Sequence, residues 1–564
     1  MSRSYIPGST AYHSVGDFNV YDYFVMNTEQ YGDYPAFQHG FRDHMRSELI
    51  GDIDALAVYF KDELGLKQGD VYTLFLSTSI EAMIIFMALN KLGVIVNFVH
   101  PLLPAENLKE MIEFTHSKGI AILDKAAAPY ASVIHKTKQK AMLCSVPTYA
   151  VPFKFTVKPE EAAVKAFEEK KVDYIAYNKA IEAFDGKTCD GVKNCSKKIA
   201  VYMSGGGTTG KSRTIKLSNF ALNNVIFMCG CINEKPEHPG IDTDIGCMPF
   251  FHAFGFCVGG LSSLVKATKM VFMPKFDADK FIEIMKLNHV VQFNGVPNMY
   301  KKLMAHPEWD GPHLASMRIA FGGGDDVGAA FLQKFNETFR KNHSIAELHQ
   351  GYGLTECCAI VLTNPIDANK DGSIGKALPG LTVQIWDDEH HELPDGEIGE
   401  IAISGPTLME GYLTEDGPID EGLYTDENGR KWVLSGDLAY RDEDGFFFFV
   451  GRKKRVVIIS GYNVYPVDIE KVLMDIPFIK ESCPVQGFDK DRKKIVRLYV
   501  VLNDGENGDH KEYKRIITEA CEKKLSKFSV PRSIKFIDEL PRTRVQKVDF
   551  MRLTQLKPED PIYM

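Results

Sequence analysis

The densest chemistry in the chain lies in one short run, Ser204-Gly205-Gly206-Gly207-Thr208-Thr209-Gly210-Lys211-Ser212. Its glycines let backbone N–H groups approach an anion closely, and the hydroxyls of Thr208, Thr209 and Ser212 can bind phosphate or its magnesium. A nucleotide polyphosphate is the natural guest. Read from Gly205 to Ser212, the run also satisfies GxxxxGK[ST], the phosphate loop of kinases and ATPases, which requires a strand before it and a helix directly after. Residues 199–202 supply the strand, but residues 213–218 alternate polar and apolar side chains like a second strand, and helical residues begin only at Asn219. The pattern predicts a phosphate loop between two strands. A ligand-free Gly/Ser/Thr turn is the plainer alternative.

The surrounding elements follow from periodicity. Apolar residues at Ile53, Leu56, Ala57, Phe60 and Leu64 predict a helix that Gly65 ends. An apolar strand over 71–76, a helix over 79–92 closed by Gly93, and an apolar run over 94–99 give a βαβ grammar and a parallel sheet covered on both faces. Further strands are expected at 245–248, 269–273, 290–294 and 318–321. From about residue 380, short alternating segments such as 382–386 and 400–404, with turns at Pro394-Asp395-Gly396 and Asp444-Gly445, predict a β-rich subdomain. Beyond it, strands at 456–459, 496–502 and 533–537 with helices at 467–474 and 513–525 predict a small separate domain. The polar run Gly451-Arg452-Lys453-Lys454-Arg455 is the expected junction, giving an N-terminal domain 1–453 and a C-terminal domain 454–564. The fold class is α/β: a large N-terminal domain of α/β layers with a β-rich subdomain, followed by a small α+β domain.

At 564 residues the chain is long enough for about three or four packing units. Hydrophobic residues at 45% and charged residues at 25% exclude a disordered or fibrous chain. With 66 Lys and Arg against 75 Asp and Glu, the net charge of −9 argues against a chain built to wrap nucleic acid. The 11 cysteines lack CxxC or His spacing for a metal and read as reduced thiols in a cytoplasmic protein. The N-terminal residues show no secretory signal pattern. The most apolar stretch, 83–103, is interrupted by Asn90, Lys91, Asn97 and His100, so no transmembrane segment is expected.

Taken in order, several motifs resemble the adenylate-forming superfamily of acyl-CoA synthetases, peptide-synthetase adenylation domains and luciferases. They are Tyr202-Met-Ser-Gly-Gly-Gly-Thr-Thr-Gly210, Pro249-Phe-Phe-His-Ala-Phe-Gly255, Gly351-Tyr-Gly-Leu-Thr-Glu356, Gly396-Glu-Ile-Gly-Glu400 with Gly405-Pro406 and Gly411-Tyr412, Leu434-Ser-Gly-Asp-Leu438, Gly451-Arg-Lys-Lys454, Ser460-Gly-Tyr-Asn-Val-Tyr-Pro466 and Leu540-Pro-Arg-Thr543 before Lys547. The resemblance spans nearly the whole chain and is strongest, over 451–470, to fatty-acid and related acyl-CoA ligases. It implies a two-step reaction: a small-molecule carboxylic acid attacks the α-phosphate of ATP to give acyl-AMP and pyrophosphate, then the thiol of coenzyme A takes the acyl group.

The resemblance also implies roles. Lys547, Glu356 and Thr209 are the expected catalytic residues, with Glu356 holding Mg²⁺ against the phosphates and Lys547 stabilising charge between carboxylate and α-phosphate. Ser204, Gly205, Gly206, Gly207, Thr208, Thr209, Gly210 and Lys211 would cradle the polyphosphate. Gly322, Gly323, Gly324, Gln350, Gly351, Tyr352, Gly353 and Thr355 would wall the nucleotide, and Asp437 with Arg452 would hold the ribose. His252, Gly295 and Gly322 would face the acid. The C-terminal domain is expected to be mobile, hinged at Lys454, withdrawing Lys547 and bringing Ser460 and Gly461 to the thiol. Three departures stand out: Ser212-Arg213-Thr214 where the family has Pro-Lys-Gly, Gln546 before Lys547, and Arg455 after the hinge. The rival readings are a ligase that loads a separate acyl carrier protein, a nucleotide- or acyl-binding sensor without turnover, and a P-loop kinase.

Overall fold

A computed structural model describes residues 15–145, 158–205, 213–232, 238–324, 328–415, 422–459, 462–474, 476–489, 493–506, 508–542 and 548–556. Its compact units divide the chain at places other than the sequence junction. One unit comprises residues 1–205, 213–382 and 403–433, and the other 206–212, 383–402 and 434–564.

The larger unit contains two sheets. Eight strands run in the order Tyr412–Leu413, Thr214–Ser218, Ile199–Ser204, Ile95–Phe98, Val71–Phe75, Ser117–Leu123, Lys140–Cys144, Tyr174–Ala176, all in one direction except Thr214–Ser218, which is antiparallel to both its neighbours. Nine strands form the second, with Asp242–Gly246, Lys269–Phe272, His289–Gly295, Ile319–Gly322 and Leu348–Tyr352 all parallel within it. The apolar runs that predicted covered parallel strands are buried as expected; every residue of Val71–Phe75 and Ile95–Phe98 is inside. Helix Ile80–Lys91 is buried on all sides and starts at Ser79, whose hydroxyl accepts from the Ala82 N–H at 3.2 Å. Its core includes Phe86, Phe98, Phe250 and Phe256, each such ring contributing about 1.5–3 kcal/mol by burial.

Two boundaries differ from periodicity. The helix expected from Ile53 begins at Arg46, because Glu48 accepts the Met45 N–H at 3.0 Å and caps a first turn too polar to show in an apolar stripe. It continues past Val58 as a wider π turn, Tyr59–Glu63. The strand expected at 245–248 runs Asp242–Gly246, since its polar opening is buried and paired: Asp242 meets His289 Nδ1 at 3.0 Å and Arg318 Nη1 at 3.1 Å.

The smaller unit has a three-stranded sheet in which Ile479–Phe488 pairs antiparallel and Ser533–Phe536 parallel with Lys494–Leu502. Helices Pro466–Met474 and His510–Lys524 share its apolar core. Strands Lys431–Arg441 and Phe447–Arg452 pair antiparallel just before Lys453–Arg455. Among the described residues no helix is long and apolar enough to cross a membrane.

Candidate functional site

The phosphate loop has the strand–loop–strand frame that its sequence predicts. Ser204 ends one strand and pairs antiparallel with Thr214, and the Gly205 N–H donates to the Arg213 carbonyl at 2.8 Å. A helix, Asn219–Ile232, follows only after Thr214–Ser218, so the helix that a kinase-type loop demands directly after its lysine is absent. Gly206, Gly207, Thr208, Thr209, Gly210 and Lys211 lie outside the described residues, as do Ser460, Gly461 and Lys547.

Beside the loop stem stands Glu356. A Cβ built on Gly205 would lie 3.7 Å from Glu356 Oε1, an ordinary contact, and a tighter 3.1 Å from Ile215 Cδ1, so the carboxylate stands beside the stem while the glycine makes room for Ile215. Glu356 sits in the short 3₁₀ turn Thr355–Cys357. The chain then reverses through two non-glycine residues in left-handed backbone, Cys358 at φ 57° and Ala359 at φ 91°, a conformation costing roughly 1–3 kcal/mol per residue and found where the surroundings over-determine it. Gly353 makes the reversal feasible: a Cβ there would fall 1.4 Å from the Ala359 carbonyl oxygen. Cys357 and Cys358 are fully buried beneath it. The Glu356 carbonyl accepts from the Met409 N–H at 2.8 Å, and its Oε1 from the Tyr412 hydroxyl at 3.0 Å. Among the described residues Oε2 takes no hydrogen bond. A hard carboxylate at the stem of the glycine-rich run suits Mg²⁺, which binds one or two carboxylates together with substrate phosphates. No cluster of three or more His, Cys, Asp or Glu side chains suited to a metal occurs among the described residues.

Gly295, Gly322 and Gln350 lie side by side at the carboxyl ends of three parallel strands, the place where open α/β sheets bind ligands. At Gly322 and Gly323 a Cβ would meet nothing nearer than 3.5 Å, Leu348 in the first case and the Phe254 ring in the second. Packing alone would accept side chains there. Gly324 has φ +87°, near Val296, and Gly351 and Tyr352 pair with Thr363 and Leu362 as the wall continues. His252 is half-buried, its ring 4.7 Å from that of Phe251, which lies 4.4 Å from His100. Burial lowers the His100 imidazole below its ordinary value, which favours the neutral form.

In the smaller unit Asp437 and Arg452 are register neighbours on paired strands. Arg452 Nε lies 2.9 Å from Asp437 Oδ1; the Asp437 side chain is 2% exposed and that of Arg452 50%. Lys453 binds Asp388 and Glu400, each at 2.8 Å, whereas Arg455 binds Glu470 at 2.5 Å and leans on the Phe550 ring. Lys454 is exposed between them and forms no ion pair among the described residues. Sequence reasoning gave Tyr412 no role. Gly411-Tyr412 was legible as a motif, but nothing in it signals a partner 56 positions away.

Residues 24–413 match the family model of AMP-binding enzymes, and residues 468–547 that of the AMP-binding enzyme C-terminal domain. The chain is 26% identical over 540 residues to a long-chain-fatty-acid–CoA ligase of Escherichia coli O6:H1, covering 94% of this chain and 93% of that one. It is 29% identical over 346 residues to the indoleacetate–CoA ligase of Aromatoleum aromaticum, covering 61% and 64%. Among solved structures, ATP-bound MatB from Rhodopseudomonas palustris has the same fold, with TM-score 0.77, 22% identity and coverage of 97% and 100%. The o-succinylbenzoate coenzyme A synthetase of Bacillus subtilis, in complex with ATP and magnesium ion, matches at TM-score 0.74 and 21% identity over 94% and 98%.

Proposed function

The chain belongs to the AMP-binding enzyme family, and from that premise we propose how its residues divide the work. It is an ATP-dependent, AMP-forming acid–CoA ligase that acts through an acyl-adenylate. ATP lies with its polyphosphate in the loop between Gly205 and Arg213. Glu356 would hold Mg²⁺, which would supply positive charge to the phosphates and to the departing pyrophosphate. An acid carboxylate oxygen forms a bond to the α-phosphorus, the bond to the β-phosphate oxygen breaks, and pyrophosphate leaves. Lys547 supplies positive charge where that oxygen and the α-phosphate meet. The CoA sulfur then attacks the acyl carbonyl and AMP departs.

The observation that carries this reading is the pairing of Glu356 with the stem of the phosphate loop: a strained, glycine-dependent turn presents one carboxylate oxygen beside Gly205. The acid enters along Gly295, Gly322, Gly323 and the Phe254 ring, an apolar wall that suits an acid with an apolar acyl or aryl group. Domain 454–564 turns at Lys454, with Lys453 and Arg455 anchored to different acidic partners on either side. Free CoA is the acceptor; a carrier-borne pantetheine is the alternative that acylation rates with each thiol would separate.

The test is acid-dependent ATP–pyrophosphate exchange over short, medium, long-chain and aromatic acids, on wild type and Lys547→Ala. Exchange with one acid class, reduced at least about 100-fold in the variant, is the expected result. ATP binding without exchange for any acid would replace the ligase by a nucleotide sensor.

A further inference from the structure

We propose that Tyr412 is a positioning residue for Glu356 and that Arg213 clamps Tyr412 in place. The proposal deepens the ligase reading, because it rests on Glu356 as the Mg²⁺-facing carboxylate. Arg213 is the first described residue after the phosphate loop, fixed at its backbone by the Gly205 N–H. Its guanidinium carbon lies 4.8 Å from the centroid of the Tyr412 ring, and the Tyr412 hydroxyl donates to Glu356 Oε1 at 3.0 Å. Tyr412 is itself held in register opposite Ile215, with Leu413 opposite Thr214, on the strand that leaves the loop. Together with the Met409 N–H on the Glu356 carbonyl, these contacts tie both the backbone and the side chain of Glu356 to one short strip, residues 409–412.

A glutamate held by its backbone alone would still choose among side-chain rotamers, and ordering it on binding would cost conformational entropy. The phenol removes that choice. With one lone pair of Oε1 taken by the phenol, the remaining lone pairs of the carboxylate stay available to a cation. A tyrosine hydroxyl carries its proton through the working range, so Tyr412 is the donor in this contact. The departure from lysine at position 213 also gains a reason. A guanidinium is planar and lies flat on an aromatic ring, whereas an ammonium is a compact, strongly hydrated charge. Arg213 thus links the exit of the phosphate loop to the carboxylate.

Calorimetric ATP binding, with Mg²⁺ and with EDTA, beside the Mg²⁺ dependence of pyrophosphate exchange, tests this on wild type, Tyr412→Phe, Arg213→Ala and Arg213→Lys. Tyr412→Phe keeps the ring and loses the donor. It should bind ATP in EDTA as wild type does, yet need about tenfold more Mg²⁺ for half-saturation in both assays. Arg213→Ala should shift the Mg²⁺ requirement about threefold, and Arg213→Lys should fall between it and wild type. An unchanged Mg²⁺ requirement in Tyr412→Phe overturns the proposal. So does equal weakening of ATP with and without Mg²⁺, which would mean that the tyrosine merely supports the fold. If wild type shows no exchange with any acid, the ligase reading falls, and the calorimetric difference between Mg²⁺ and EDTA still decides the role of Tyr412.

Discussion

Two carboxylates proposed to serve ATP, one in each compact unit, are held in opposite ways. Glu356 is half-buried on a strained turn, fixed by a neutral phenol and a backbone N–H, with one oxygen left over. Asp437 is almost wholly buried on a regular strand pair and faces a guanidinium 2.9 Å away. The first arrangement spends its conformational order on leaving an oxygen for a cation. The second gives the carboxylate a cation of its own, so that hydrogen bonds from a sugar hydroxyl add to a site already balanced in charge. On the proposed reading, one would share in charge that develops during reaction and the other would recognise a group that does not react.

The two should therefore fail differently. Glu356→Gln keeps the shape and the Tyr412 contact but removes the charge. It should lower kcat/KM for exchange about 100-fold, chiefly through kcat. Asp437→Asn should raise KM for ATP about tenfold and leave kcat within about threefold of wild type, as steady-state exchange at varied ATP would show. A kcat-dominated loss at Asp437 would erase the distinction. Equal stability of both variants and wild type in urea denaturation keeps the comparison one of chemistry; Arg452 is half-exposed, so water screens it when the aspartate charge is lost.

How much of this was legible beforehand follows from what each signal measures. The parallel strands at Val71–Phe75 and Ile95–Phe98 showed because both faces are covered, which leaves an unbroken apolar run. Asp242-Thr243-Asp244 hid the start of its strand, because a buried polar run whose first residue, Asp242, pairs with His289 and Arg318 looks like a loop in one dimension. Strand Ile479–Phe488 was missed for a similar reason, with Glu481, Ser482 and Pro484 inside a paired strand of IKESCPVQGF. At the site, motif order brought out Glu356 and Asp437, residues whose type and neighbours are chemically distinctive. It was silent on Tyr412 and on the left-handed turn at Cys358 and Ala359, since both are properties of a contact rather than of a residue. Lys547, Thr209 and Ser460 rest on motif and resemblance alone.

A third carboxylate, outside the reaction, sharpens the contrast at the smallest expected effect on catalysis. Glu81 is 1% exposed in the fully buried helix Ile80–Lys91. Burial pushes its carboxyl from 4.5 up to about 7, against the weaker pull of its own N–H and of Ser79. Between those pH values the native chain keeps a proton that the unfolded chain has released. The stability this group contributes is therefore greatest below the unfolded value, falls as pH rises through the window, and is flat above about 7. Glu81→Gln has no such titration. Relative to wild type, its unfolding free energy in urea should climb from about pH 5 to pH 7, by up to about 3 kcal/mol, and then level off. Its exchange rate should match wild type wherever both are folded. A difference that stays flat with pH would mean that Glu81 ionises inside the fold without penalty. Burial alone would then not distinguish a carboxylate from its neighbours, and the partners that set Glu356 and Asp437 apart would lose their explanatory force.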